Sequence, residues 1–282
     1  MAPAVSVCVP VYNGAAYLEA TLRSLLAQDH RDFEVVVLDN ASTDGTAEIL
    51  ARLDDPRVRV ERNPTTLPLP ENWRRACELA TGTYLKVVCA DDLVAPTCLR
   101  AQAELLDGHP EVSLVACRRD VIDPQGSTIA RARGLRGLLG RHDGREVAAQ
   151  TALLGINPIG ESAAVMFRRH DYERLGGWDG QLVYPMDLDL WLRLLTVGDL
   201  YGQGESLAAY RITTTSLTSA LSAAQYDEQR RFLSRMAGEK RWRLPALLRH
   251  VARVTGPVAL WTWSLRHKEV AVRQALRSRR GR

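Results

Sequence analysis

The stretch GTYLKVVCADDLVAPTCL, residues 82–99, poses a problem in electrostatics. Val87, Val88 and Cys89 form an apolar run of the kind found in strands buried on both faces. The run stops at two adjacent acids, Asp91 and Asp92, and Pro96 then opens a helix. Two like charges about 4 Å apart repel by roughly 4 kcal/mol at an effective dielectric of 20. A proton, a basic neighbour, open water or a metal ion would have to offset that.

Outward from this stretch, the chain alternates between two periods. AVSVCVP (4–10), FEVVVLD (33–39), RVRVE (57–61) and TYLKVVCA (83–90) read as short strands. Between them, 16–28 carries Leu18, Leu22, Leu25 and Leu26 at helical spacing, and 42–53, 70–81 and 96–108 also read as helices. Strands separated by helices predict an α/β fold with a mostly parallel sheet covered on both faces. Right-handed crossovers bring the strand C-termini to one edge, where such sheets bind ligands. Pro10, Asp39 and the Asp91-Asp92 pair all fall there. After residue 110 the rhythm changes. A hairpin turns at 123–126, and the glycine-rich segment 131–144 is expected to be a mobile loop that orders over a ligand. Helices follow at 145–155, 186–198 and 222–238, with a strand at 162–169.

Composition narrows the class. The chain has 282 residues, 46% hydrophobic and 25% charged, which suits a soluble globular fold with a sizeable core. The N-terminus lacks a basic segment followed by a long apolar one, and no stretch reaches the length of a membrane span. Five scattered cysteines without a CxxC fit buried thiols in a reducing cytosol. No GxSxG, GxxxxGK[ST], HExxH or GxGxxG signature occurs where it would carry chemistry. The six histidines are dispersed, and no nucleic-acid-binding module is recognisable. Residues 239–282 carry twelve Lys/Arg against two Asp/Glu, a balance of +10 that leaves −6 for the rest of the +4 chain. That tail, with an apolar stripe of Leu244, Leu247, Leu248 and Val251 and with Trp261 and Trp263 beyond, suits either an anionic membrane surface or packing on the body.

Four segments together resemble the inverting glycosyltransferase family 2 of GT-A fold: residues 7–28, 34–46, 82–99 and GGWDGQLVYPMDLDLWLRL (176–194). The resemblance runs from about residue 4 to residue 218. It implies an enzyme that moves a sugar from a UDP-, dTDP- or GDP-sugar to an acceptor saccharide, lipid-linked sugar or small molecule. It implies that Pro10, Val11, Tyr12 and Asp39 hold the nucleoside, Asp39 being free for the base because Ser42, Thr43 and Asp44 can cap the next helix. Asp92 would hold Mg²⁺ or Mn²⁺, and Asp91 the ribose or the same metal. Asp187 would be the catalytic base, its pKa raised by Val183, Met186 and Leu190. In the Tyr-Arg-x-His-x-x-Ser pattern, Tyr210, Arg211 and Ser216 fit, and Arg211 would face the diphosphate. Three positions depart from the family: Cys89 stands where many relatives carry an acid, Met186 replaces the usual Glu, and Thr213 replaces a common His. They leave room for a nucleotide-sugar binder of little activity, and the tail for a membrane-surface adaptor. Residues 1–110 would form the donor half, 111–238 the acceptor and catalytic half, and 239–282 a basic helical tail. The protein would be cytoplasmic, peripheral on the inner membrane face if the tail binds lipid.

Overall fold

The computed structural model describes residues 3–213 and 223–252. Its first half runs β1 (Val5–Val11), α1 (Leu18–Leu26), β2 (Phe33–Asp39), α2 (Thr46–Leu50), β3 (Val58–Arg62), α3 (Leu69–Glu78), β4 (Tyr84–Val87), β5 (Leu93–Val94) and α4 (Cys98–Gly108). The second half adds β6 (Val112–Ile122), β7 (Thr128–Arg133), β8 (Gly140–His142), α5 (Gly144–Leu154), β9 (Val165–Arg168), α6 (Arg169–Arg174), α7 (Met186–Leu194), β10 (Asp199–Arg211) and α8 (Ala223–Gly238).

The ten strands form one mixed sheet in the order β3-β2-β1-β4-β9-β6-β10-β5, with β7 beside β6 and β8 beside β10. β1 pairs in parallel with both β2 and β4, so its seven residues are all buried, as its apolar run requires. Its side chains alternate between two cores. Val5, Val7, Val9 and Val11 pack with α1 and α4, while Cys8 joins α3, α7 and a cluster of Trp73, Trp178, Trp191 and Phe167 on the other face. The chain steps outward from β1 to β3, then returns across β1 to β4. That reversal makes the C-terminal ends of β1 and β4 the topological switch point, where sheets of this kind bind ligands.

β9 runs antiparallel between β4 and β6, and β10 lies parallel to β6. The start of β9 and the ends of β6 and β10 therefore reach the same edge as the end of β4.

Several expectations change. Segment 131–144 is not one open loop: β7 occupies its start, β8 pairs with β10, and Leu135 and Leu138 are fully buried. Glycines at every third position, 134, 137 and 140, hide two core leucines. β10 covers 13 residues, although the Tyr-Arg region reads as a loop in sequence; register shifts between Gln203 and Ala208 break its alternation. α2 is one short turn because Ser42–Asp44 are spent on contacts with the loop after β1. Of the tail, Trp242, Leu244 and Ala252 are buried in the core and Leu248 packs against it, while Leu247 is exposed. Ser216, Trp261 and Trp263 lie outside the described residues.

Candidate active site

Two loops meet beyond β1 and β2. Pro10 and Val11 are buried, and Tyr12 stands 53% exposed with a ring open to a ligand. Asn13 turns the chain with φ 51°, a left-handed conformation that Asn tolerates. Its backbone N–H donates to the Ser42 hydroxyl (2.9 Å), and its amide oxygen accepts the Thr43 N–H (2.9 Å). Asp39 ends β2 at 1% exposure. One of its oxygens accepts the Ser42 N–H at 3.0 Å and the other pairs with Arg62. The expected spare carboxylate is thus engaged, because the turn after β2 needs it as well as any base would. Arg62 is half exposed, so the pair can open toward solvent.

At the end of β4, Asp91 and Asp92 differ sharply. Asp92 is 1% exposed and accepts the Arg211 backbone N–H at 3.0 Å, while its own carbonyl oxygen lies 2.9 Å from the Thr21 hydroxyl. Asp91 is the more open of the two. Burial pushes both carboxyls up; the Asp91 charge adds to the rise at Asp92, while Arg211 opposes it at both. Arg211 lies beneath the pair rather than in the cleft. It is 3% exposed, donates to the carbonyl oxygens of Asp91 (2.8 Å), Asp123 (2.9 Å) and Pro124 (3.3 Å), and stacks 4.7 Å from the Tyr17 ring. Its guanidinium ties the acid loop to the hairpin after β6.

Asp187 lies in the first turn of α7, half-buried. One oxygen accepts the Asn157 amide N–H (3.1 Å), and the other the Leu188 N–H (2.7 Å). Burial raises its carboxyl to about 7, with nearby Glu161 adding to the rise and Leu188, Asn157 and Arg119 opposing it. A helix N-terminus favours the charged form, so burial outweighs it. The direction is as expected from sequence, but the surroundings are polar rather than those of Val183, Met186 and Leu190. Met186 is itself buried in the core and Val183 is 39% exposed. Asp189 pairs with Arg193 (2.7 Å) and lies near Arg235 (3.7 Å), 7% exposed and already neutralised.

The structure adds Glu161, Arg119 and Asn157 to the site. Arg119, near the end of β6, pairs with Glu161, including an N–H···O contact of 2.9 Å. Asn157 bridges Asp187 and the Gly160 carbonyl, which also accepts the Trp191 indole N–H (3.1 Å). Glu161 and Asn157 escape sequence reasoning because the antiparallel run of β9 is what brings 157–162 to the edge. A groove of about 620 Å³ beside the N-terminus of α7, between 179–183 and α8, is lined by Gln181, Val183, Glu228, Arg231 and Phe232. It holds none of the acids near β4.

The donors near β4 suit a divalent cation. The Cys89 sulfur and carboxylate oxygens of Asp91 and Asp92 lie within 4.8 Å of one another, a spacing one ion can bridge. The burial that disfavours two adjacent charges would be offset by such an ion.

The glycosyltransferase family 2 model matches residues 6–176. The chain belongs to this family. It is a glycosyltransferase of family 2. An uncharacterized protein of Mycobacterium tuberculosis, MT1568, is 33% identical over 240 residues, covering 81% of this chain and 74% of that one. Among solved structures, Staphylococcus aureus TarS in complex with UDP-GlcNAc superimposes with a TM-score of 0.69 at 17% identity, over 91% of this chain and 71% of that one. The mannosyltransferase PcManGT of Pyrobaculum calidifontis, in complex with GDP-Man and Mn²⁺, gives 0.65 at 22% identity, over 96% and 76%. Both show that this glycosyltransferase has the GT-A fold. Among its described residues, no helix is long and apolar enough to cross a membrane.

Proposed function

We propose that this glycosyltransferase inverts the anomeric centre, moving a sugar from a nucleotide diphosphate to an acceptor hydroxyl with help from a divalent cation. The observation that carries the reading is Asp187, a half-buried acid raised to about 7 in the first turn of α7, whose charge reaches Cys89 beside the acids that follow β4. An inverting transfer needs one base on the acceptor side of the sugar. The Asp187 carboxylate takes the acceptor proton as the oxygen attacks the anomeric carbon. The bond from that carbon to the diphosphate oxygen breaks, and the nucleoside diphosphate leaves with its electron pair. Asn157 orients the base, and the Arg119–Glu161 pair sets the local charge.

On the donor side, within residues 1–110, Tyr12 would lie on the base and Pro10 and Val11 would line its pocket. Asp39 would read the base or ribose once Arg62 swings aside. Asp91, the more open acid, and Asp92 would hold Mg²⁺ or Mn²⁺, whose charge would stabilise the departing diphosphate. The buried Arg211 acts on that pair as a positioning residue. The nucleotide sugars bound by TarS and PcManGT support a donor of the UDP- or GDP-sugar kind, and a dTDP-sugar has the same diphosphate. The acceptor would approach from α7, within 111–238, and a saccharide, a lipid-linked sugar or a small molecule would satisfy the chemistry. We place the reaction in the cytoplasm, where nucleotide sugars are made.

The test is a thermal-shift screen of UDP-, dTDP- and GDP-sugars with Mn²⁺. A ligand at 100 times its Kd should stabilise the fold by about 2.7 kcal/mol. Stabilisation by at least one nucleotide sugar, lost in Asp39→Ala, is expected. No shift from any of them would overturn the donor assignment.

A further inference from the structure

The donor set near β4 contains a sulfur, and this has a consequence for which cation it takes. Cys89 lies just past β4, half-buried, with its Sγ 3.8 Å from the Ser162 hydroxyl. The Asp92 N–H donates to the Cys89 carbonyl at 3.1 Å, closing a turn that holds residues 89 and 92 together. Within that turn the thiol and both carboxylates lie inside 4.8 Å, the one such group of three donors among the described residues. The other four cysteines are buried at 0–3% exposure in the two cores, so Cys89 is the thiol nearest solvent.

Resting on the proposed function, we propose that Cys89 is a thiolate ligand of this site and turns its preference from Mg²⁺ toward cations that accept sulfur. Mg²⁺ demands oxygen ligands in near-ideal octahedral geometry. Co²⁺, Zn²⁺ and Cd²⁺ bind thiolate readily, and Mn²⁺ tolerates it better than Mg²⁺ does. Binding replaces the S–H bond by a sulfur–metal bond, and the thiol proton passes to solvent. The neighbouring Ser162 hydroxyl can then donate to the sulfur in place of sharing its proton. An acid at position 89 would instead supply a hard oxygen. In this chain the substitution retunes the site instead of merely weakening it.

The experiment titrates the full chain with Co²⁺ and with Cd²⁺ and follows the sulfur-to-metal charge-transfer band in the ultraviolet. Competition with Mg²⁺ then ranks the cations. The wild type should give a one-thiolate band that saturates at one equivalent and is absent from Cys89→Ser and Cys89→Asp. Cys89→Asp should shift the Cd²⁺/Mg²⁺ affinity ratio toward Mg²⁺ by at least about tenfold. Should Cys89→Ser fold poorly, alkylation of wild-type Cys89, read by mass spectrometry, should be blocked by Cd²⁺. Co²⁺ or Cd²⁺ binding without the band, or a band that survives in Cys89→Ser, would overturn the thiolate and leave the transferase reading intact. If no divalent cation binds while transfer proceeds in excess chelator, the cation assignment fails with it.

Discussion

In the proposed mechanism Asp187 carries the proton chemistry, and its surroundings set two opposite pH dependences. Its carboxyl is held at about 7 by burial, against about 3.9 for a free Asp. The proton-accepting form therefore fills as pH rises, and transfer should climb between about pH 6 and about pH 8 and then level off. Stability runs the other way. Between about pH 4 and about pH 7 the folded chain holds a proton at Asp187 that the unfolded chain has lost, so this group's contribution falls as pH rises through that window. Asp187→Asn should accordingly melt above the wild type at pH 8, the gap closing below about pH 4; an equal gap at both pH values would refute the assignment. Arg211 is a residue of the opposite kind, spent on three backbone carbonyls. Arg211→Ala should cost about 2–3 kcal/mol in urea unfolding, and Arg211→Lys should recover only part, since one ammonium cannot span carbonyls on two loops. The acids themselves were legible in the sequence as charges at the end of an apolar run. That Arg211 supports them from below was not, because the pattern gives no depth to a side chain.

Elements differed in how openly they declared themselves. β1 to β4 follow one rule, strand then helix, and their apolar periods pointed to the switch point at the ends of β1 and β4. The second half breaks that rule. β9 reverses direction, which carries Glu161 and Asn157 to the active edge, and no local pattern encodes strand direction. β10 was hidden by Gly202, Gly204 and the bulges around Ser206. Gly202 is there for contact rather than freedom: a Cβ would overlap the Leu138 carbonyl oxygen, where the glycine-rich segment crosses the strand. Gly202→Ala should destabilise by about 1–3 kcal/mol, lowering Tm by several degrees. Gly204→Ala, exposed and 4.0 Å from its nearest neighbour, is the control and should be nearly silent. Equal effects at the two positions would mean that the 134–140 segment does not pack as described.

At the scale of the whole molecule, two questions join: where the body ends, and whether its halves act together. The basic tail reads as one unit by charge, yet Trp242, Leu244 and Ala252 are core residues. A chain ending at Gly238 should therefore melt below one ending at Ala252. If the remaining basic residues meet anionic lipid, each would contribute about 1 kcal/mol near the surface. The full chain would then pellet with anionic vesicles, and the chain ending at Ala252 would not. In the proposed mechanism the donor is held at the ends of β1 and β4 and the base stands on α7, so binding and transfer should be separable by a single side chain. The deciding measurement pairs donor affinity, by calorimetry, with transfer rate, in the wild type and in Asp187→Asn. Nucleotide-sugar affinity should be unchanged and transfer slowed by about 10²–10⁴-fold in Asp187→Asn. Wild-type transfer by Asp187→Asn, with Asp189→Asn inactive, would take the base away from Asp187.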